Sequence, residues 1–174
     1  PHAPMRAVTI NAGYVMRAWY DIVSLDFAPG REEEEGVRQS ARQVEALIAR
    51  ENARGIPDGR IVLAGFSQGG VVALHTGLRH PQRLAGILAL SCYLPLVDTL
   101  ASEAQAANRD VPIFMAHGQA DAVIPYDLGK RAAKRLKADG YRVQWQGYAA
   151  EHSVCSEELN DIESWLHQVL AAVC

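Results

Sequence analysis

The stretch RIVLAGFSQGGVVALHTGLRHP, Arg60–Pro81, decides how this chain is read. Its opening, RIVLAG (residues 60–65), is a short apolar run of the kind that forms a strand buried on both faces. Gly69 to His80 is apolar nearly all round, which predicts a buried helix stopped at His80-Pro81. Between them stands Gly65-Phe66-Ser67-Gln68-Gly69, a G-x-S-x-G pattern at the passage from strand to helix. A chain that reverses within so few residues strains the backbone at its centre, and the flanking glycines remove Cβ atoms that would collide there. The turn lifts the Ser67 hydroxyl above the sheet edge. The Gln68 amide opens the helix, where the dipole favours negative charge, and points at a substrate oxygen. With 8 serines and 14 glycines in 174 residues, roughly 0.05 such matches arise by chance.

Outward from this stretch, strands and helices alternate. RAVTI (6–10) reads as a short strand. From Glu32 to Arg50, Val37, Ala41, Val44 and Ile48 recur at helical spacing, with Glu32 to Glu35 crowding the first turn and Gly55 beyond the end. AGILALS (85–91) is a second buried strand. Residues 98–108 are Ala-rich and predict a helix. VPIFMAHG (111–118) is a strand, and residues 128–140 form a helix closed by Gly140. YRVQWQGY (141–148) alternates as a strand does. From Ser156 to the chain end, Leu159, Ile162, Leu166, Val169, Leu170 and Val173 share one helical face. Such alternation predicts a mostly parallel sheet flanked by helices on both faces, an α/β fold over one domain, residues 1–174. Its functional residues belong in the loops at the carboxyl ends of the strands.

Composition narrows the function classes. The formal net charge is −3 and the hydrophobic share 49%. These values give no reason to expect nucleic acid or an anionic membrane as partner. No apolar run approaches the roughly 18 residues that suggest a membrane span, and no signal-peptide pattern is visible. Cys92, Cys155 and Cys174 lie far apart with no CxxC, so they read as free thiols in a reducing compartment, and a cytoplasmic location is expected. Nothing has zinc-ligand spacing, and GFSQGG lacks the Lys-Ser/Thr ending of a phosphate loop. No metal or cofactor is expected. The basic cluster Lys130, Arg131, Lys134, Arg135 and Lys137 reads as a solvated helix face.

A serine hydroxyl is a poor nucleophile until a base takes its proton, and in this architecture the order is Ser, then Asp or Glu, then His. His75 and His80 belong to the buried helix and its end, and His167 to the surface of the last one. His117 competes for the role of base, but it precedes every acid of the expected order and stands too close in sequence to Asp121 to face it. His152, in YAAEHSVCSEEL between the last strand and the last helix, is the expected base. Asp121, in HGQADAVIP after the preceding strand, is the expected acid. Its competitor Asp127 opens a helix, where an N-cap role suffices.

Together, GFSQGGVVAL, HGQADAVIP and EHSVCSEEL resemble the carboxylesterase and acyl-protein thioesterase family of α/β-hydrolases, and VTINAGYVMRAWYDI resembles the stretch upstream in those proteins. The resemblance implies an α/β-hydrolase fold with Ser67 as nucleophile, Asp121 as acid and His152 as base. It also implies a shallow apolar acyl groove with Trp19, Leu94 and Val123 as groove residues. In that family a first strand ends in a His-Gly-x-Gly type loop, which supplies the second oxyanion amide. The one His-Gly pair here, His117-Gly118, carries the acid loop instead. The chain is therefore read as lacking the first strands and that loop, with Gln68 as its one named oxyanion donor.

The expected activity is that of a serine carboxylesterase acting on small to medium acyl esters, since no segment is long enough for a deep lidded tunnel. The first alternative is a thioesterase or lysophospholipase with the same triad. The second is a catalytically silent domain of the same fold. The expected partner is a small-molecule ester or thioester, and the expected state a monomer or homodimer.

Overall fold

A computed structural model describes residues 1–24 and 34–171. Glu32 and Glu33 of the expected first helix, and residues 172–174 of the last, with Val173 and Cys174, lie outside the described residues. The elements run in order as β1 (Met5–Val8), β2 (Tyr14–Arg17), α1 (Glu34–Ala53), β3 (Val62–Phe66), α2 (Gln68–Arg79), β4 (Gly86–Leu90), α3 (Val97–Glu103), β5 (Ile113–Gly118), α4 (Tyr126–Ala138), β6 (Val143–Tyr148) and α5 (Ser156–Ala171). Strands β3 to β6 form one parallel sheet in sequence order, and β1 and β2 form a separate antiparallel hairpin. This is an α/β fold, with its sheet covered on both faces.

The two faces divide by strand alternation. Ile87 and Ala89 of β4 and Ile113 and Met115 of β5 join Val37, Leu74, Leu78 and Leu136 in the larger core, beneath α1, α2 and α4. Leu88 and Leu90 of β4 and Phe114 and Ala116 of β5 point the other way, onto Ile162, Trp165 and Val169 of α5. A continuously apolar strand is thus buried twice, once by each set of side chains. Among the described residues, no helix is long and apolar enough to cross a membrane.

Two expectations are corrected. The strand expected over 6–10 ends at Val8, because Thr9–Asn11 wind into a 3-10 turn and Ala12 and Gly13 take positive φ of 54° and 75°. The chain then returns as β2, whose side chains are all exposed, so burial periodicity could not announce it. The helix expected over 98–108 stops at Glu103, and a separate 3-10 turn spans Ala106–Asn108. The cause is tertiary. The buried Asn108 side chain accepts from the Leu84 N–H at 2.9 Å and donates to the His80 and Gln82 carbonyls at 2.8 Å each. Those three bonds outweigh the helix preference of an Ala-rich segment.

Helices α1, α2 and α3 meet around one carboxylate. Glu103 accepts from Arg38 at 2.7 Å, from Arg79 at 2.6 Å and from Thr99 at 2.8 Å. Burial would raise its pKa, but these donors win and hold the carboxyl down at about 2.

Candidate active site

Parallel pairing brings the carboxyl ends of β3, β5 and β6 to one rim, and Ser67, Asp121 and His152 stand in the loops that follow them. Ser67 sits between Phe66, the last residue of β3, and Gln68, the first of α2, at φ 55° and ψ −124°. A non-glycine residue in such a region costs on the order of 1–3 kcal/mol. The N–H of Ser67 is pinned to the Leu90 carbonyl at 2.9 Å, and the N–H of Val71 to the Ser67 carbonyl at 3.1 Å.

The glycines around Ser67 are not equivalent. A Cβ on Gly65 would lie 2.1 Å from the Gly69 backbone, a clash that only main-chain movement relieves. One on Gly69 would meet just the Trp19 indole nitrogen, at an ordinary 3.6 Å. The second tight position is Gly70, where a Cβ would come within 2.8 Å of Cys92 Sγ. The expected collision at both motif glycines therefore holds at Gly65 and not at Gly69.

A continuous hydrogen-bond chain joins the three loops. The Ser67 hydroxyl lies 3.0 Å from His152 Nε2, and His152 Nδ1 lies 2.7 Å from Asp121 Oδ2. With Nδ1–H donating to the carboxylate, Nε2 offers its lone pair to the hydroxyl. Asp121 Oδ1 accepts the N–H groups of Val123 and Ile124 at 2.8 Å each, so one carboxylate both closes an Asx turn and orients His152. Burial would raise the Asp121 carboxyl, but the bonds from His152, Ile124 and Val123 hold it below the usual carboxylate range. Beyond the strands, Gln119 N–H reaches the Tyr148 carbonyl at 2.8 Å and Ala120 N–H the Ala150 carbonyl at 2.9 Å. These bonds tie the Asp121 loop to the His152 loop.

Phe66, at the end of β3, and Val123 and Val154, in the loops after β5 and β6, leave apolar side chains exposed. The Phe66 ring leans on the His152 imidazole, with centroids 4.7 Å apart. Of the groove candidates, Val123 is exposed beside Asp121, Trp19 is half-buried beside Gly69, and Leu94 is buried with the main core. Asp127 lies exposed in the first turn of α4, whose N-cap is Pro125, so the expected cap does not form.

Sequence reasoning missed two contacts. Gln68 uses its side chain as well as its amide: Oε1 accepts the Trp19 N–H and Nε2 donates to the Tyr20 carbonyl, both at 2.9 Å. His117 was expected to stand too close in sequence to face Asp121, yet its Nε2 lies 3.3 Å from Asp121 Oδ2. The loop turns back on the strand end and closes that distance. A His four residues before an Asp at a strand end was the one available signal.

The fold and the elbow define a serine hydrolase of the α/β-hydrolase class. The chain matches the Phospholipase/Carboxylesterase family model over residues 1–170 and belongs to that family. It is 43% identical over 180 residues to acyl-protein thioesterase 1 of Neurospora crassa, covering 99% of this chain and 74% of the relative. It is 38% identical over 185 residues to acyl-protein thioesterase 1 of Mycosarcoma maydis, covering 99% and 77%. The crystal structure of Arabidopsis thaliana SOBER1 superposes with a TM-score of 0.91 at 33% identity, covering 98% of this chain and 82% of that one.

Proposed function

We propose that this serine hydrolase is an acyl-protein thioesterase, with Ser67, His152 and Asp121 as its catalytic triad. The observation that carries the chemistry is the chain Ser67–His152–Asp121, with bonds of 3.0 and 2.7 Å. The preference for thioesters is supported by the fungal relatives, both named acyl-protein thioesterase 1. They reverse the order reached from sequence, which put esters first. The exposed apolar side chains of Phe66, Val123 and Val154 suit an acyl chain lying on the protein surface.

In this reading Ser67 Oγ attacks the thioester carbonyl while His152 Nε2 takes its proton. The Gln68 N–H, among the first N–H groups of α2 and so without an intrahelical partner, meets the negative charge on the carbonyl oxygen. His152 returns the proton to the departing sulfur. A water activated by His152 then releases the fatty acid and frees Ser67. Asp121 holds the tautomer that leaves Nε2 unprotonated in the resting state. Hydrolysis of short to medium acyl esters is the second reading; it uses the same groups and is favoured by the family's description.

The test sets an S-octanoyl cysteine peptide against the matched O-octanoyl serine peptide. Thioester kcat/KM should exceed the ester value, and Ser67→Ala should abolish both. A tenfold preference for the ester would restore the carboxylesterase reading. Absence of turnover together with absence of fluorophosphonate labelling at Ser67 would refute both.

A further inference from the structure

His117, the residue before the last of β5, has no part in the triad chemistry and is fully buried. Its Nε2 lies 2.8 Å from the Ile124 carbonyl and 3.3 Å from Asp121 Oδ2. A carbonyl only accepts, so the proton sits on Nε2 and faces both oxygens. Nδ1 has no hydrogen-bond partner. It faces Gly129 of α4, where a Cβ would come within 2.3 Å of it. The ring is boxed by Tyr126, edge-on with centroids 6.0 Å apart, and by Trp145 at 6.3 Å. A proton on Nδ1 would find no acceptor there. Burial pushes the imidazole toward its neutral form, against the pull of the Ile124 carbonyl and the Asp121 charge.

We propose that His117 is a positioning residue: a permanently neutral Nε2–H donor that aims Asp121 at His152 without cancelling the carboxylate's charge. The inference rests on the triad reading above. Val123 and Ile124 hold Asp121 Oδ1 through their amides, while Oδ2 is shared between the two histidines. A cation in place of His117 would compete with His152 for the negative charge that stabilises the imidazolium during turnover. An apolar side chain would leave the Ile124 carbonyl and one side of Oδ2 unpaired in a dry environment, and the loop would relax to satisfy them. The close approach of α4 at Gly129, where a Cβ would clash with Nδ1, leaves room for the ring.

Three measurements test this. In ¹⁵N-histidine-labelled enzyme, His117 should give the shifts of the neutral Nε2–H tautomer, and Asp121→Asn should move its Nε2–H resonance. A cationic or Nδ1–H His117 overturns the proposal whatever the variants do. His117→Leu should lower kcat on a thioester roughly 10- to 100-fold, leave KM within about twofold, and lose or shift the downfield proton of the His152–Asp121 bond. His117→Gln, whose amide NH₂ reaches the place of Nε2, should recover most of that kcat and restore the downfield proton. If His117→Leu does not fold, the tautomer and His117→Gln decide: a folded His117→Gln more than 100-fold slower than wild type overturns the proposal. Should Ser67 take the fluorophosphonate and Asp121→Asn be inactive while His117→Leu turns over within twofold of wild type, this inference alone fails. An active Ser67→Ala would instead remove the triad reading beneath it.

Discussion

Two carboxylates in this molecule are held anionic by the same means and serve different ends. Asp121, at the sheet rim, is gripped by two backbone amides of its own loop, by His152 from the next loop and by His117 from the end of β5. Glu103, beneath the helices, is gripped by Arg38, Arg79 and Thr99 from three helices. Each carboxyl lies below its ordinary range because its donors outweigh burial. The difference lies in where each network ends. Around Glu103 the donors are permanent cations and a hydroxyl, so charge is neutralised in place. From Asp121 the chain runs through His152 to the Ser67 hydroxyl, a group that can lose its proton to a neighbour. Donor type, more than the carboxylate itself, separates a clasp from a site.

That contrast can be broken most sharply at the rim. Ser67→Ala and Asp121→Asn are each expected to lower kcat by about 10⁴-fold or more, read as steady-state thioester turnover. Asp127→Asn should stay within about twofold of wild type, because its exposed side chain makes no part of the chain of bonds. Ser67→Ala should leave stability within about 1 kcal/mol. An inactive Asp127→Asn beside an active Asp121→Asn would assign the acid wrongly.

Next in size is the elbow. Gly65→Ala should cost about 3 kcal/mol or more, because its Cβ meets backbone at 2.1 Å. Gly69→Ala should stay within about 1 kcal/mol, with only the Trp19 indole at 3.6 Å. Urea midpoints of the pair compare them directly, and equal losses would mean that the turn, not the clash, sets the cost.

At the clasp, Glu103→Gln should cost about 2 kcal/mol while leaving kcat per folded molecule unchanged. The pH sign follows from a pKa held below its ordinary value. The contribution of Glu103 is complete above its ordinary value of 4.5 and is lost as pH falls toward about 2. Stability of the wild type should fall through that window, and Glu103→Gln should flatten the fall. An unchanged slope would remove Glu103 from the account.

The smallest effect is expected at Gln68. Gln68→Met keeps the backbone amide but loses both bonds to residues 19 and 20. It should raise the exchange rate of the Trp19 amide by about tenfold, equivalent to roughly 1.4 kcal/mol. Protection equal to wild type would show that the remaining contacts, among them the Ser40 bond to the Trp19 carbonyl and the Tyr20–Tyr93 bond, hold this segment without Gln68.

What the sequence determined by itself is what lies within one strand–turn–helix unit. Gly65 to Gly69 announce the elbow because the turn's demands fall on adjacent residues. Asp121 and His152 are legible because each follows a strand in a polar loop, and chain order matches the order in which such sites are built. Only tertiary structure decided the rest, because its causes lie far apart in the chain. Asn108 ends a helix through partners 24 to 28 residues away. Gln68 reaches back 48 and 49 residues to Tyr20 and Trp19. His117 is the instructive case, since it lies only four residues from Asp121. Spacing counted along a strand sets the two apart. The loop after β5 folds back, and the His117 ring beneath α4 meets the carboxylate because three-dimensional packing, not sequence distance, sets which groups share a charge.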